Sequence, residues 1–219
     1  MVSTEVVHRV KNRFFPSNTY LLAKEGANEC VIIDPGVDFD SIQQAIHDLS
    51  LEPIAIACTH GHFDHLGCIV PLKMAFGNLP YALHEKDIKL AKAANFFGKL
   101  AKINVWIEHV KPDLLFFGQK GELNFGAFDL RFENFPGHSD GSCILVIGNS
   151  IFGGDLVYSK GVGFNNFPGE NKVELKQSIL RLLSIYEPQS MIYPGHGESA
   201  TLAQIQDNNQ ELNEFLKQL

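Results

Sequence analysis

Cysteine is scarce in this chain. It has four in 219 residues, Cys30, Cys58, Cys68 and Cys143, and no C-x-x-C pair. Such spacing fits neither a disulfide framework nor a cysteine-type zinc site, and points to buried thiols in a reducing compartment. Long apolar runs are missing too, since none reaches the roughly 18 residues of a membrane span. The stretch Met1 to Val6 lacks a basic region followed by an apolar core, so no secretory signal is expected. Positive charge is in deficit, with 18 Lys and Arg against 25 Asp and Glu and a net charge of −7. That balance argues against nucleic acid or an anionic membrane as a partner. Repeats and low-complexity tracts are absent. What remains is the expectation of a soluble, cytoplasmic globular protein, 45% hydrophobic and 20% charged. A chain of this length can bury a large core without staples.

Strand and helix signals alternate without a clear linker. Asn18 to Leu22 and Cys30 to Ile33 read as a hairpin turning near Glu25 and Gly26. Ile42, Ala45, Ile46 and Leu49 recur at helical spacing, and Asp40 is placed to cap that helix with Gln43 three residues on. Ile54 to Cys58 reads as a buried strand, followed by a helix after Gly67 and a strand at Tyr81 to Leu83. Glu85 to Leu100 reads as one Lys- and Ala-rich helix, and Ile103 to Phe117 fits no pattern. Strands follow at 123–125, 129–135, 143–147 and 151–152. Leu175, Ile179, Leu182, Leu183 and Tyr186 mark a further helix, Met191 to Tyr193 a last strand, and 205–219 a closing helix. Two similar halves suggest two packed sheets with helices outside.

Nine histidines are present, and five fall in three Gly-rich turns, each just after an expected strand. The turns are 59–65 (T-H-G-H-F-D-H), 136–142 (P-G-H-S-D-G-S) and 194–197 (P-G-H-G). Asp155 follows another strand end. Neutral imidazole and carboxylate suit zinc and other first-row metals. His60 and His62, two apart in an extended turn, can point the same way. Five imidazoles and two carboxylates exceed one four-coordinate ion. They suit two ions that share a carboxylate and a water, which gives a hydroxide nucleophile at neutral pH. A lone His in a Gly-rich turn is ordinarily a cap or a surface residue, but seven such groups together are not explained that way.

The pattern His60-x-His62-x-Asp64-His65, with His138, Asp155 and His196 downstream, resembles the metallo-β-lactamase-fold hydrolases. The likeness runs from Asn18 through Asp34-Pro35-Gly36 to the closing helix, and implies one α/β unit over 1–219, a four-layer αββα sandwich of two mixed sheets flanked by helices. It implies that His60, His62 and His138 hold one divalent ion, that Asp64, His65 and His196 hold a second, and that Asp155 bridges. Zinc is expected, with iron or manganese as alternatives. Asp64 and Asp155 become the catalytic carboxylates, holding the metal-bridging hydroxide. His8, His47, His84 and His109 match no ligand position. Relatives that destroy β-lactams usually carry Cys or Ser where Asp155 stands, which argues against that role here.

The aspartate is similar to the glyoxalase II group, and more so to its short relatives, because only 23 residues follow His196. Those relatives often place a cation and an acid in the loop where this chain has Phe164 and Asn166. Losing the cation disfavours a glutathione conjugate and favours a less charged acyl group. Tyr158 and Lys160 are placed to compensate, so Tyr158, Lys160, Phe164 and Asn166 are the candidate substrate contacts. Eleven of the 17 phenylalanines lie between Phe96 and Phe167, and 95–118 reads as an apolar lid, a dimer contact or ordinary packing. The expected activity is hydrolysis of a small thioester or related ester by a monomer or homodimer. Alternatives are an iron persulfide dioxygenase using His60, His138 and Asp155, a lactonase or phosphodiesterase, and a non-enzymatic binding member.

Overall fold

The computed structural model describes residues 4–218. Leu219 of the closing stripe and Met1 to Ser3 lie outside the described residues. The expected hairpin is present as β2 (Asn18–Lys24) and β3 (Glu29–Ile33), antiparallel with Tyr20 opposite Ile33. Its turn uses Gly26 at φ +76°, a region glycine enters without a Cβ clash. An unexpected strand, β1 (Glu5–Lys11), pairs outside β2. It is an edge strand whose residues are mostly half-buried, so its sequence lacks the apolar run that revealed the others. The sheet continues through β4 (Glu52–Ala57), β5 (Tyr81–His84) and β6 (Leu114–Phe116), all parallel to β3.

The second sheet has the order β14-β13-β10-β9-β8-β7. These strands are β7 (Lys120–Phe125), β8 (Phe128–Asn134), β9 (Cys143–Ile147), β10 (Ser150–Gly154), β13 (Met191–Pro194) and β14 (Ala200–Thr201). A two-residue pair, β11 (Val157–Tyr158) and β12 (Gly161–Val162), lies between.

Alternation along the strands builds the layers. Tyr20, Leu22, Val31 and Ile33 share one buried cluster with Leu130, Phe132, Leu145 and Phe152, so the two sheets pack face to face. The intervening residues Leu21, Ile32 and Ile56 point the other way, onto α1 (Phe39–Asp48) and α3 (Ile69–Phe76) through Ile42, Ile46, Ile69 and Leu72. Ile144, Val146, Ile151 and Ile192 do the same for the second sheet. They meet α6 (Lys172–Ile185), α7 (Leu202–Asn208) and α8 (Gln210–Lys217). The result is the expected αββα sandwich.

Three local expectations are corrected. The cap of α1 is Asp38, which accepts from the Ser41 amide, while Asp40 sits inside the first turn. Asp38 is held there by Arg13, which donates its backbone N–H and two guanidinium N–H groups to it. The stretch 85–100 is three pieces, a 3₁₀ turn (Glu85–Asp87), α4 (Ile88–Lys92) and α5 (Ala94–Leu100). The closing helix is broken at Asn209, whose side chain caps α8 and donates to the Tyr158 and Gly161 carbonyls. Among the described residues no helix is long and apolar enough to cross a membrane.

Candidate metal centre

The chemistry gathers at strand ends. Asp34 follows β3, His60 to His65 follow β4, His138 follows β8, Asp155 follows β10 and His196 follows β13. His62 is the N-cap of α2 (Phe63–Leu66), whose single turn swings Asp64 and His65 to a second position. Asn18 fastens the third turn from β2. Its amide bonds the Gly195 carbonyl, and its side chain donates to Pro194 and Gly197. Gly195 leaves no room for a side chain, because a Cβ there would collide with the Asp155 carboxylate.

The structure brings all seven expected residues into one cluster. Three trios have donor atoms within 4.8 Å of one another: His60, His62 and His138; Asp64, His65 and His196; and His60, His65 and Asp155. Asp155 lies 3.4 Å from His65 Nε2, 3.5 Å from His138 Nε2 and 3.3 Å from His196 Nε2. The second oxygen-bearing group, Asp64, stands 3.3 Å from both His65 and His196.

The backs of the rings decide which nitrogen faces inward. His138 Nδ1 bonds the Gly163 carbonyl at 2.8 Å, and His196 Nδ1 bonds the Pro16 carbonyl at 2.8 Å. A carbonyl only accepts, so each Nδ1 carries the proton and, in the neutral ring, each Nε2 a lone pair. Thr59 gives its hydroxyl proton to Asp34 and so accepts from His60 Nδ1 at 3.1 Å. His60 Nε2, His65 Nε2 and Asp155 Oδ1 are buried with no hydrogen-bond partner among the described residues. Unpaired polar atoms of this kind are costly, and a cation between them removes the cost. The donor set therefore fits divalent first-row ions.

Proton affinity divides the cluster into two halves. Burial, and then the charge of His138, holds His62 down at about 3. Burial and His65 likewise push His60 well below its ordinary value. Burial opposes a charge on His196 as well, but the Asp155 and Asp64 carboxylates overcome it and raise this imidazole to about 10. His65 is raised in the same way between Asp64 and Asp155. In the ion-free protein these two imidazolium groups balance the carboxylates, while His60 and His62 stay neutral.

One residue of the site gave no sequence signal. Asp87, at the end of the 3₁₀ turn, accepts from the Gly61 amide at 2.8 Å, the Gly141 amide at 2.7 Å and the Ser139 hydroxyl at 2.7 Å. It thus ties the first histidine turn to the second. Burial raises its pKa against these three donors. Its position in a Lys-rich stretch reads as a solvated face. The buried amides it satisfies exist only once the turns have folded.

The sequence signature of the metallo-beta-lactamase superfamily matches residues 12–196. The chain belongs to this superfamily. It is 32% identical over 206 residues to the hydroxyacylglutathione hydrolase GloC of Haemophilus influenzae, covering 91% of this chain and 94% of GloC. Two solved structures are similar over nearly their whole length. The BLEG-1 B3 metallo-beta-lactamase superposes with a TM-score of 0.84 at 29% identity, over 94% of this chain and 99% of that one. TTHA1623 in a di-iron-bound form gives 0.81 at 30% identity, over 93% and 98%. Membership of the superfamily supports a metal-dependent hydrolase acting on a small molecule.

In this superfamily member a cavity of about 250 Å³ opens onto the cluster. Its apolar walls are Phe15, Pro16, Phe63, Phe97, Ala101 and Phe167, and among the described residues no Lys or Arg lines it. Of the four candidate substrate contacts, Tyr158 lines the cavity, with its ring edge-on to His196 at 5.7 Å. Burial and the Asp155 charge push its phenol well above the ordinary value, so it remains protonated. Lys160 is exposed and lies outside the cavity. Phe164 packs against Phe215, and Asn166, at φ +59°, faces the same separate cleft beside α8. Their neighbours Asn165 and Phe167 take the cavity wall instead, because the left-handed residue turns the loop over. His84 is buried but stands apart, bonding the Gly118 carbonyl through Nε2.

Proposed function

We propose that the protein is a cytoplasmic binuclear metal hydrolase that cleaves a thioester or related ester with an apolar acyl group. His60, His62 and His138 would hold one ion, Asp64, His65 and His196 the other, and Asp155 both. The observation that carries this is the convergence of inward-facing Nε2 atoms on rings fixed from behind by Thr59, Gly163 and Pro16. Two divalent ions, zinc or iron, would supply a hydroxide nucleophile at neutral pH and stabilise charge on the carbonyl oxygen. The likeness to a di-iron protein supports a pair of ions rather than one. A one-iron dioxygenase reading leaves the trio of Asp64, His65 and His196 without a purpose.

The chain's own groups do the rest. Phe15, Phe63, Phe97 and Phe167 bind the acyl group and keep bulk water from it. Tyr158, protonated beside Asp155, stands on the cavity wall next to His196, where its ring and phenol meet the substrate. We infer that the 95–118 stretch covers this mouth in part, through Phe97 and Ala101, within a single unit spanning 1–219. Trp106 takes no part in that cover, being 79% exposed beside a separate cleft with Met74 and Phe39. Among the described residues no Lys or Arg side chain lines the cavity to pair with the carboxylates of a glutathione carrier. Four buried, unpaired cysteines support the reducing setting.

The test is a kcat/KM comparison on metal-loaded protein across a hexanoyl thioester, S-lactoylglutathione and a β-lactam. The reading expects the hexanoyl thioester to be preferred by about 10-fold or more, the worth of burying two or so methylenes. A preference for S-lactoylglutathione or the β-lactam, or oxygen uptake with a persulfide in place of hydrolysis, would contradict it.

A further inference from the structure

Glu170 is a carboxylate that neither the histidine turns nor the cavity lining brings to notice. Its side chain is 1% exposed. One oxygen, Oε2, accepts the backbone N–H of Asn165 at 2.8 Å and of Phe167 at 3.1 Å. These are the two residues with which the loop lines the cavity. The other oxygen, Oε1, is buried without a hydrogen-bond partner among the described residues and lies 3.5 Å from His138 Nδ1. That nitrogen already donates to Gly163, at the start of the same loop. The residue itself is held in place, because its neighbour Asn171 donates its amide to Gly137 and caps α6. A buried acid this firmly placed, with one oxygen spent on the loop and one left beside an imidazole, links two functions. It fixes the wall, and it presses on the ring from the side away from the cluster.

We propose that Glu170 is a positioning residue that couples the Asn165–Phe167 wall of the cavity to the orientation of His138 and its strength as a metal donor. The His138 half rests on the reading above, in which His138 Nε2 faces a metal. Asn166 exists in its left-handed conformation because the amides on both sides of it are clamped by one carboxylate oxygen. Loss of the clamp frees the wall. Loss of the negative charge removes the partner that strengthens His138 as a donor to a cation.

Two variants separate these roles. Glu170→Gln keeps an oxygen to clamp the loop amides but places no charge beside His138. Glu170→Ala removes both. In metal-free protein, hydrogen exchange at the Asn165 and Phe167 amides should quicken about 10-fold or more in E170A, as expected for loss of a hydrogen bond to a charged group, and stay near wild type in E170Q. Zinc affinity, measured by chelator competition with zinc alone, should fall about 10-fold in both variants, the lower end for an outer partner that lies beside the ring without a hydrogen bond to it. Unchanged exchange in E170A overturns the proposal, and so does wild-type zinc affinity in E170Q. A wild-type protein that takes up no zinc also overturns it. In that case normal clamping by the exchange measurement places the failure in the metal reading and not in Glu170.

Discussion

Asp155 meets three imidazoles within 3.5 Å, and with Asp64 it holds His65 and His196 in their protonated forms. An ion entering the cluster must displace those protons. With His196 raised to about 10, it is charged at pH 7.5, so metal affinity should rise with pH toward that value and weaken as pH falls. Calorimetric zinc titrations at pH 7.5 in two buffers of different ionisation enthalpy should show at least one proton released per chain. Heats independent of the buffer would contradict this. The thiols make an opposite case. Burial pushes Cys30 and Cys68 up to about 12, and Cys58 and Cys143 well above their ordinary value. A disulfide reagent at pH 8 should therefore label none of the four in native protein and all four after unfolding. Rapid labelling of the native protein would show that one of them is accessible. The sequence made the metal-facing residues plain because polar, Gly-rich turns interrupt strong apolar runs. Asp87 and Glu170 were hidden, since an acid among lysines or after Pro168-Gly169 reads as a solvated group until its backbone partners are known.

Elements carry the site through their ends, and two acids hold those ends. Asp38 caps α1 and binds Arg13, whose hydrogen bond, above all, holds the carboxyl well below its usual range. Because the native value is depressed, the stabilisation is present above about pH 4 and is lost as pH falls through the native value. Asp38→Ala should cost about 2 kcal/mol at pH 7 in urea denaturation, with the difference from wild type shrinking in acid. An equal difference at pH 7 and pH 2.5 would contradict the charge argument. Asp87 works between elements, since β5 delivers it to the amides of both histidine turns. Asp87→Ala leaves those amides buried and unpaired and should cost roughly 2–4 kcal/mol. A loss within about 0.5 kcal/mol would mean that the turns hold themselves. Most strands were legible from apolar runs bounded by turn residues. The half-buried edge strand β1 was not, and neither were the breaks at Ala93 and Asn209. Helical spacing continues through both breaks, and at Asn209 tertiary hydrogen bonds to Tyr158 and Gly161 interrupt it. The segment 103–113 was opaque for a related reason. Asn95 clasps both backbone groups of Ile107, a contact that no periodicity encodes.

At the scale of the whole molecule, two sheets aim the ends of β3, β4, β8, β10 and β13 at one edge of the sandwich. The alternation that packs Leu22 inward and Leu21 outward fixes the register in which the strands pair, and so the edge at which their turns gather. Architecture and cluster were therefore readable together from the pattern of strands and histidines. The cavity wall was not. Which of Phe164, Asn165, Asn166 and Phe167 faces inward depends on one left-handed residue and one distant carboxylate.

The central claim is that this cluster holds two ions. Its most direct test is metal content per chain by plasma mass spectrometry, on protein purified without chelator and then equilibrated with zinc. About two ions per chain are expected, falling to about one or fewer in Asp155→Ala with the far-ultraviolet circular dichroism unchanged. One ion per chain in the wild type, or two retained in Asp155→Ala, would contradict it.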